Sequence, residues 1–224
     1  MSAPLTHQPF YGGAIKGVIP QGWIDGSSLR EVPDHQELFL SPTTLSSQIF
    51  EINQRVTEDE AKSVLQRTQP ALAAEASDES LDKAAALYHL NDLCDESDKL
   101  EVVVAPQVVA MGRFAAGAPS AYRGVAMMTT PKRQRRGPGV DSSVGGATAG
   151  SSVDGALATR TSCHYLLVRL KPQETDLLVF VNVPHEEFER AGDPRALATE
   201  EELAEEVISG LVKELEVQDW SLFG

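Results

Sequence analysis

Between Asp176 and Val183 the chain reads Asp-Leu-Leu-Val-Phe-Val-Asn-Val, an almost unbroken apolar stretch. A strand with one face in water alternates apolar and polar side chains, whereas a continuous run of this length fits a strand covered on both faces. Such a strand requires a layer of structure on each side. Thr199 to Leu215 supplies one, because Leu203, Val207, Leu211 and Leu215 recur every four residues on a Glu-rich background, the pattern of an amphipathic helix. Thr199 followed by Glu202 reads as the capping box that starts it. Leu45, Ile49, Ile52 and Val56 recur at spacings of four, three and four, which predicts a second helix with Glu51 and Gln54 on one outward stripe. From Glu58 to Leu93 the chain is rich in Ala, Leu, Glu and Lys, with Pro70 set to break or restart the helix.

The remaining apolar runs predict strands at Ala14–Ile19, Glu37–Leu40, Leu100–Met111 and Tyr122–Met128, and across His164–Val183 with a split near Pro172. Gly12 and Gly13 suggest a close backbone approach where the first strand begins. Between the first two strands, Trp23 to Leu40 carries a short helical turn after Asp25 and a second turn at Pro33 and Asp34, leaving a tight polar surface. Residues 129–161 differ in composition, with a basic start and a Gly-, Ser- and Ala-rich remainder, and read as a flexible low-complexity insertion. A single domain spanning 1–224 is expected.

Charge and chemistry narrow the function. With 33 acidic against 19 basic residues the net charge is −14, which disfavours phosphate backbones and anionic membrane surfaces. No apolar stretch approaches the ~20 residues of a membrane span, and MSAPLTHQPFYGG lacks the charged-then-apolar layout of a secretory leader. A soluble protein in a reducing compartment is expected. Cys94 and Cys163 form no metal-spaced set, the five histidines make no HxxxH pair, and the Gly146 to Ser152 loop lacks the lysine of a phosphate loop. Cys163 and His164 are neighbours in a strand and point to opposite faces, so they cannot act as a thiol–imidazole pair. Neither a catalytic constellation nor a cofactor or metal site is expected, and binding is favoured over catalysis. Lys132, Arg133, Arg135 and Arg136 form an exposed basic run that reads as a possible nuclear-localisation signal.

The residues Tyr11-Gly-Gly-Ala-Ile15, Ile19-Pro20, Trp23-Ile-Asp25, Ser28-Leu-Arg30 and Val32-Pro-Asp34, with Gln36 and Glu37, resemble the N-terminal signature of the Mog family. The Ser47 to Gln54 segment, the LLVRLKPQETDLLVFVNVP pair and the Trp220-Ser-Leu-Phe-Gly224 ending also resemble it, in a fungal-like form. The resemblance implies an α+β fold, an α/β/α sandwich whose largely antiparallel central sheet is covered by helices on both faces, as in PsbP proteins. It further implies binding to the small GTPase Ran, release of Ran's guanine nucleotide, support of nuclear protein import from nucleus and cytoplasm, and action as a monomer. The positions that match its polar surface are Asp25, Arg30, Asp34, Glu37 and Glu51. Gln54 stands where the family often has a second acid, with Glu58 a turn further on. The competing expectation is a PsbP-like scaffold with no GTPase partner.

Overall fold

The computed structural model describes residues 4–68, 70–73, 76–114, 119–132 and 158–223. In chain order the elements are β1 (Leu5–Phe10), β2 (Ile15–Pro20), β3 (Ile24–Asp25), β4 (Gln36–Leu40), β5 (Ser47–Gln54), α1 (Glu58–Thr68), α2 (Pro70–Ala73), α3 (Asp78–Asp92), β6 (Lys99–Val109), β7 (Ser120–Pro131), β8 (Ala158–Leu170), β9 (Thr175–Pro184), α4 (Glu186–Ala191), α5 (Pro194–Glu214) and β10 (Glu216–Val217). Seven strands form one sheet in the order β3-β4-β5-β9-β8-β7-β6, and β1-β2-β10 form a second. Every strand pairing in both sheets is antiparallel.

β9 is buried on both faces, as its apolar run predicts. Leu177, Val179, Val181 and Val183 join Phe10, Ile15 and Val18 of the small sheet and Leu203, Val207 and Leu211 of α5 in one core. Leu178 and Phe180 face the other way, into a second core with Val64, Leu65, Leu81, Ala85 and Leu90 of α1 and α3. Each such Val, Leu, Ile or Phe side chain withdrawn from water contributes about 1.5–3 kcal/mol before chain entropy is counted, so the central sheet is held from two sides.

Four expectations need correction. The stretch from Leu45 to Val56 is not a helix: its central part is β5, which pairs with β4 and β9 along its length. The four-three-four spacing arose because both faces of β5 are covered, Phe50 packing toward α5 and Ile49 toward α1 and α3, while Leu45 sits exposed before the strand. The helix read from Thr199 begins earlier, at Pro194, where Asp193 accepts the N–H groups of Arg195 and Ala196 at 3.1 and 3.0 Å. Thr199 lies inside it and donates to the Arg195 carbonyl. Tyr11, Gly12 and Gly13 turn with φ of 50°, 67° and 96°; a Cβ on either glycine would meet nothing within 4 Å, so positive φ rather than close approach calls for glycine. Finally, β7 and β8 extend the paired hairpin to Pro131 opposite Ala158, so the ends of 129–161 are strand, and 133–157 lie outside the described residues.

Candidate functional site

The polar signature residues gather where β3 and β4 edge the large sheet. Asp25 ends β3 opposite Phe39, and Glu37 lies two residues before Phe39 on β4, so both carboxylates share the face toward the small sheet. There the Tyr11 N–H donates a short hydrogen bond to Glu37 Oε1, and the Tyr11 hydroxyl donates to the His35 carbonyl at 3.0 Å. Partial burial pushes the Glu37 carboxyl up; the Tyr11 N–H opposes this and the Asp25 charge adds to it. Burial also pushes the Tyr11 hydroxyl up, followed by the fields of Glu37 and Glu51.

Asp25 caps the turn that follows it. Its Oδ1 accepts the Ser27 N–H at 2.8 Å, and the Ser28 hydroxyl donates to its carbonyl at 2.8 Å. The Leu29 and Arg30 N–H groups then both donate to the Gly26 carbonyl. Gly26 is seated on Leu38, where a Cβ would come within 2.6 Å of the leucine side chain, so the turn is clamped to β4. Arg30 and Asp34 are exposed. Asp34 belongs to the tight turn closed by the Gln36 N–H and the Pro33 carbonyl.

Glu51 and Gln54 do not share a stripe. In β5 they point to opposite faces, and Gln54 is exposed at the strand's end. Glu51 lies on the face opposite Glu37, because Glu37 pairs with Phe50. It is only 7% exposed, and both oxygens are occupied: Gln36 Nε2 donates to Oε1 at 2.7 Å and Asn53 Nδ2 to Oε2 at 3.1 Å. Glu58 is the first residue of α1, within 3.7 Å of Lys62. Beyond Gln54, a cleft of about 250 Å³ is lined by Asn53 to Thr57 together with Glu60, Tyr88, His89 and Asp92. Sequence reading missed Tyr11, Gln36 and Asn53 as the partners of the two acids; their amides and backbone N–H groups carry no spacing signal.

Two buried polar networks lie elsewhere. Arg169 is 1% exposed and donates to Asp82 at 2.7 Å, to Asp176 at 3.0 Å and to the Val56 carbonyl at 2.6 Å. Asp176 in turn accepts the Val56 N–H and contacts His89, each at 3.0 Å, so the corner between β5 and α1 is gripped through both backbone groups of Val56. Under α5, Glu201 accepts from His164 at 2.7 Å and from His185 at 3.0 Å. Ser162 meets the same His185 nitrogen at 2.8 Å; with hydroxyl and carboxylate on one ring nitrogen, the trio cannot relay a proton from serine through imidazole to acid. Burial pushes the Cys163 thiol up, and burial with Asp98 and Asp95 raises that of Cys94, so neither is an activated nucleophile. Among the described residues, no group of three His, Cys, Asp or Glu side chains could hold a metal ion, and no helix is long and apolar enough to cross a membrane. Lys132 contacts Glu186 at 2.6 Å; Arg133, Arg135 and Arg136 lie outside the described residues.

The family described as Ran-interacting Mog1 protein matches residues 8–184. The nuclear import protein MOG1 of Saccharomyces cerevisiae is 27% identical over 219 residues, covering 95% of this chain and 82% of that protein. The human Ran guanine nucleotide release factor is 47% identical over 49 residues, and there the match spans 22% of this chain and only 26% of the relative. Among solved structures, a point mutant of protein Mog1 superposes with a TM-score of 0.57 at 21% identity, covering 99% of this chain and all of that one. The Saccharomyces cerevisiae Ran-binding protein Mog1p superposes with a TM-score of 0.55 at 23% identity over the full length of both chains. The two superpositions establish the likeness of fold.

Proposed function

The chain belongs to the Ran-interacting Mog1 family, and on that premise we propose that it binds the small GTPase Ran, promotes release of Ran's guanine nucleotide and supports nuclear protein import. One observation carries the reading: the family match spans the edge segment that carries Asp25, Arg30, Asp34 and Glu37, on a chain of net charge −14. A surface of that sign speeds encounter with a basic partner face and fixes orientation on docking. Asp25, Arg30, Asp34 and Glu37 are the direct contacts in this reading, with Gln54 and Glu58 at the adjoining end of β5 and α1. Glu51 contributes from beneath by ordering Gln36 and Asn53.

Release then follows from linkage. A protein that binds nucleotide-free Ran more tightly than loaded Ran weakens Ran's hold on nucleotide by the same factor, and no covalent step or cofactor enters. We take residues 1–224 as one Mog-like unit carrying an insertion between β7 and β8, acting as a monomer in nucleus and cytoplasm, with Lys132, Arg133, Arg135 and Arg136 as the import-directing run. The test is the dissociation rate of a fluorescent guanine nucleotide from Ran. Saturating protein is expected to raise it by about tenfold, the off-rate counterpart of a ~1.4 kcal/mol weakening, since affinity differences of related complexes lie mostly in dissociation. An unchanged rate, with no co-elution in any loading state, removes the proposal.

A further inference from the structure

We propose that Leu29 is the apolar anchor of the Ran-binding surface, with the surrounding charges acting as its rim; this rests on the reading just given. Leu29 is 65% exposed, and Ile24 on the same edge is 44% exposed. Neither belongs to the two core clusters. Leu29 and Ile24 thus leave two large aliphatic side chains open to water in the stretch that carries the polar signature.

Its presentation is rigid. The Asp25 cap and the paired N–H groups of Leu29 and Arg30 on the Gly26 carbonyl fix the turn, and contact of Gly26 with Leu38 fixes the turn to β4. A turn whose backbone is fixed before docking surrenders little conformational freedom on binding. The signature carboxylates, by contrast, are partly committed. Asp25 caps its own turn, Glu37 holds the Tyr11 N–H, and Glu51 is consumed by two amides. Charge therefore serves orientation and encounter, and the apolar knob supplies the desolvated centre that interfaces concentrate their energy in. The occupant is Ran because Leu29 lies in the turn that joins Asp25 to Arg30, inside the stretch that matches the Ran-interacting family and continuous in the chain with the polar contacts assigned to that partner. Leu45 is equally exposed, but it lies in the loop between β4 and β5, with its N–H held by Glu187.

The experiment measures affinity of the full chain for nucleotide-free Ran at low and high salt, using the unaltered protein, Leu29→Ala, Leu29→Met and Arg30→Gln. Leu29→Ala is expected to weaken binding about tenfold at both ionic strengths, and Leu29→Met to stay within about twofold, since apolar contact is not screened. Arg30→Gln is expected to change affinity chiefly at low salt. Denaturant midpoints of the Leu29 variants should match the parent, because the side chain lies outside both cores. If the parent binds and Leu29→Ala stays within twofold of it, or loses its effect at high salt, the anchor is overturned while the proposed function stands. If the parent fails to bind Ran, both fall.

Discussion

Glu37 and Glu51 sit one strand apart, yet they answer differently to substitution. Glu51 is buried with both oxygens bonded to side-chain amides, so Glu51→Lys places an ammonium among donors that it cannot satisfy. The expected cost is about 3 kcal/mol of folding stability, read from urea unfolding, and a loss of Ran binding by that variant would report the fold as much as the contact. Glu37 is half-buried, and its folded-state pKa is raised. An acid of that kind is least destabilising while protonated, and its folded form loses ground as pH rises through the folded pKa. Glu37→Gln keeps an oxygen for the Tyr11 N–H and removes the penalised charge, so its stability at neutral pH should change by less than about 1 kcal/mol. Under the proposed function its affinity for Ran should drop several-fold at low salt and converge on the parent at high salt. Equal affinity at every salt concentration would remove Glu37 from the contact. The sequence placed Glu37 on a strand and Asp25 before a turn, both as found. It could not reveal that Glu37 already holds the Tyr11 N–H, because a partner 26 residues away is set by which turn faces which strand.

At the scale of elements, β5 shows where pattern reading failed and why. An alternation rule needs one wet face, and β5 has none along its centre: Gln48 and Phe50 are fully buried on one side while Ile49 packs on the other. Its apolar residues then mimicked a helical period by coincidence. β9 escaped the error because its unbroken run has no helical reading of comparable length. The start of α5 was misplaced for a different reason, since Asp193 and Pro194 form a stronger start signal than Thr199 with Glu202. That helix is also fastened to the sheet by a titrating group. Burial raises the Glu201 carboxyl, but hydrogen bonds from His164, His185 and Ser162 outweigh it and bring the value down to about 2. A depressed carboxylate stabilises the fold above its unfolded pKa, here near 4.5, and loses that contribution as pH falls toward 2. Discounted for partial exposure, the contribution is about 2 kcal/mol. Glu201→Gln should therefore lower the unfolding free energy by that amount at pH 7 and by far less near pH 2. A constant difference across the range would show that the residue acts by packing alone.

Over the whole molecule, the three-layer plan was legible from one apolar strand and its helical flanks, whereas the ionic clamp through Arg169 was not. Arg169 and Asp176 face each other across the β8–β9 hairpin, seven residues apart in sequence, Arg169 inside an apolar run and Asp176 at the head of one; charge in such a place was the available signal. The insertion poses the complementary question of what the fold does without a segment. Its stem is closed before the segment begins, because Pro131 pairs with Ala158 and the ladder continues unbroken to Ser120 opposite Arg169. Lys132 already meets Glu186 on α4. A chain in which residues 133–157 are replaced by a short Asn-Gly turn therefore keeps every described contact, and closes a loop of a few residues where the parent closes one of more than twenty. Closure entropy grows with the logarithm of loop length, so the shortened chain should be more stable by about 1–2 kcal/mol, measured as a rise in denaturant midpoint at constant m-value. In the reading proposed above it should still release nucleotide from Ran at the parent rate, since the signature edge lies on β3 and β4 at the other side of the sheet, and should lose nuclear accumulation along with Arg133, Arg135 and Arg136. A drop in stability would show that the insertion packs on the domain, and a drop in release rate that it takes part in the contact.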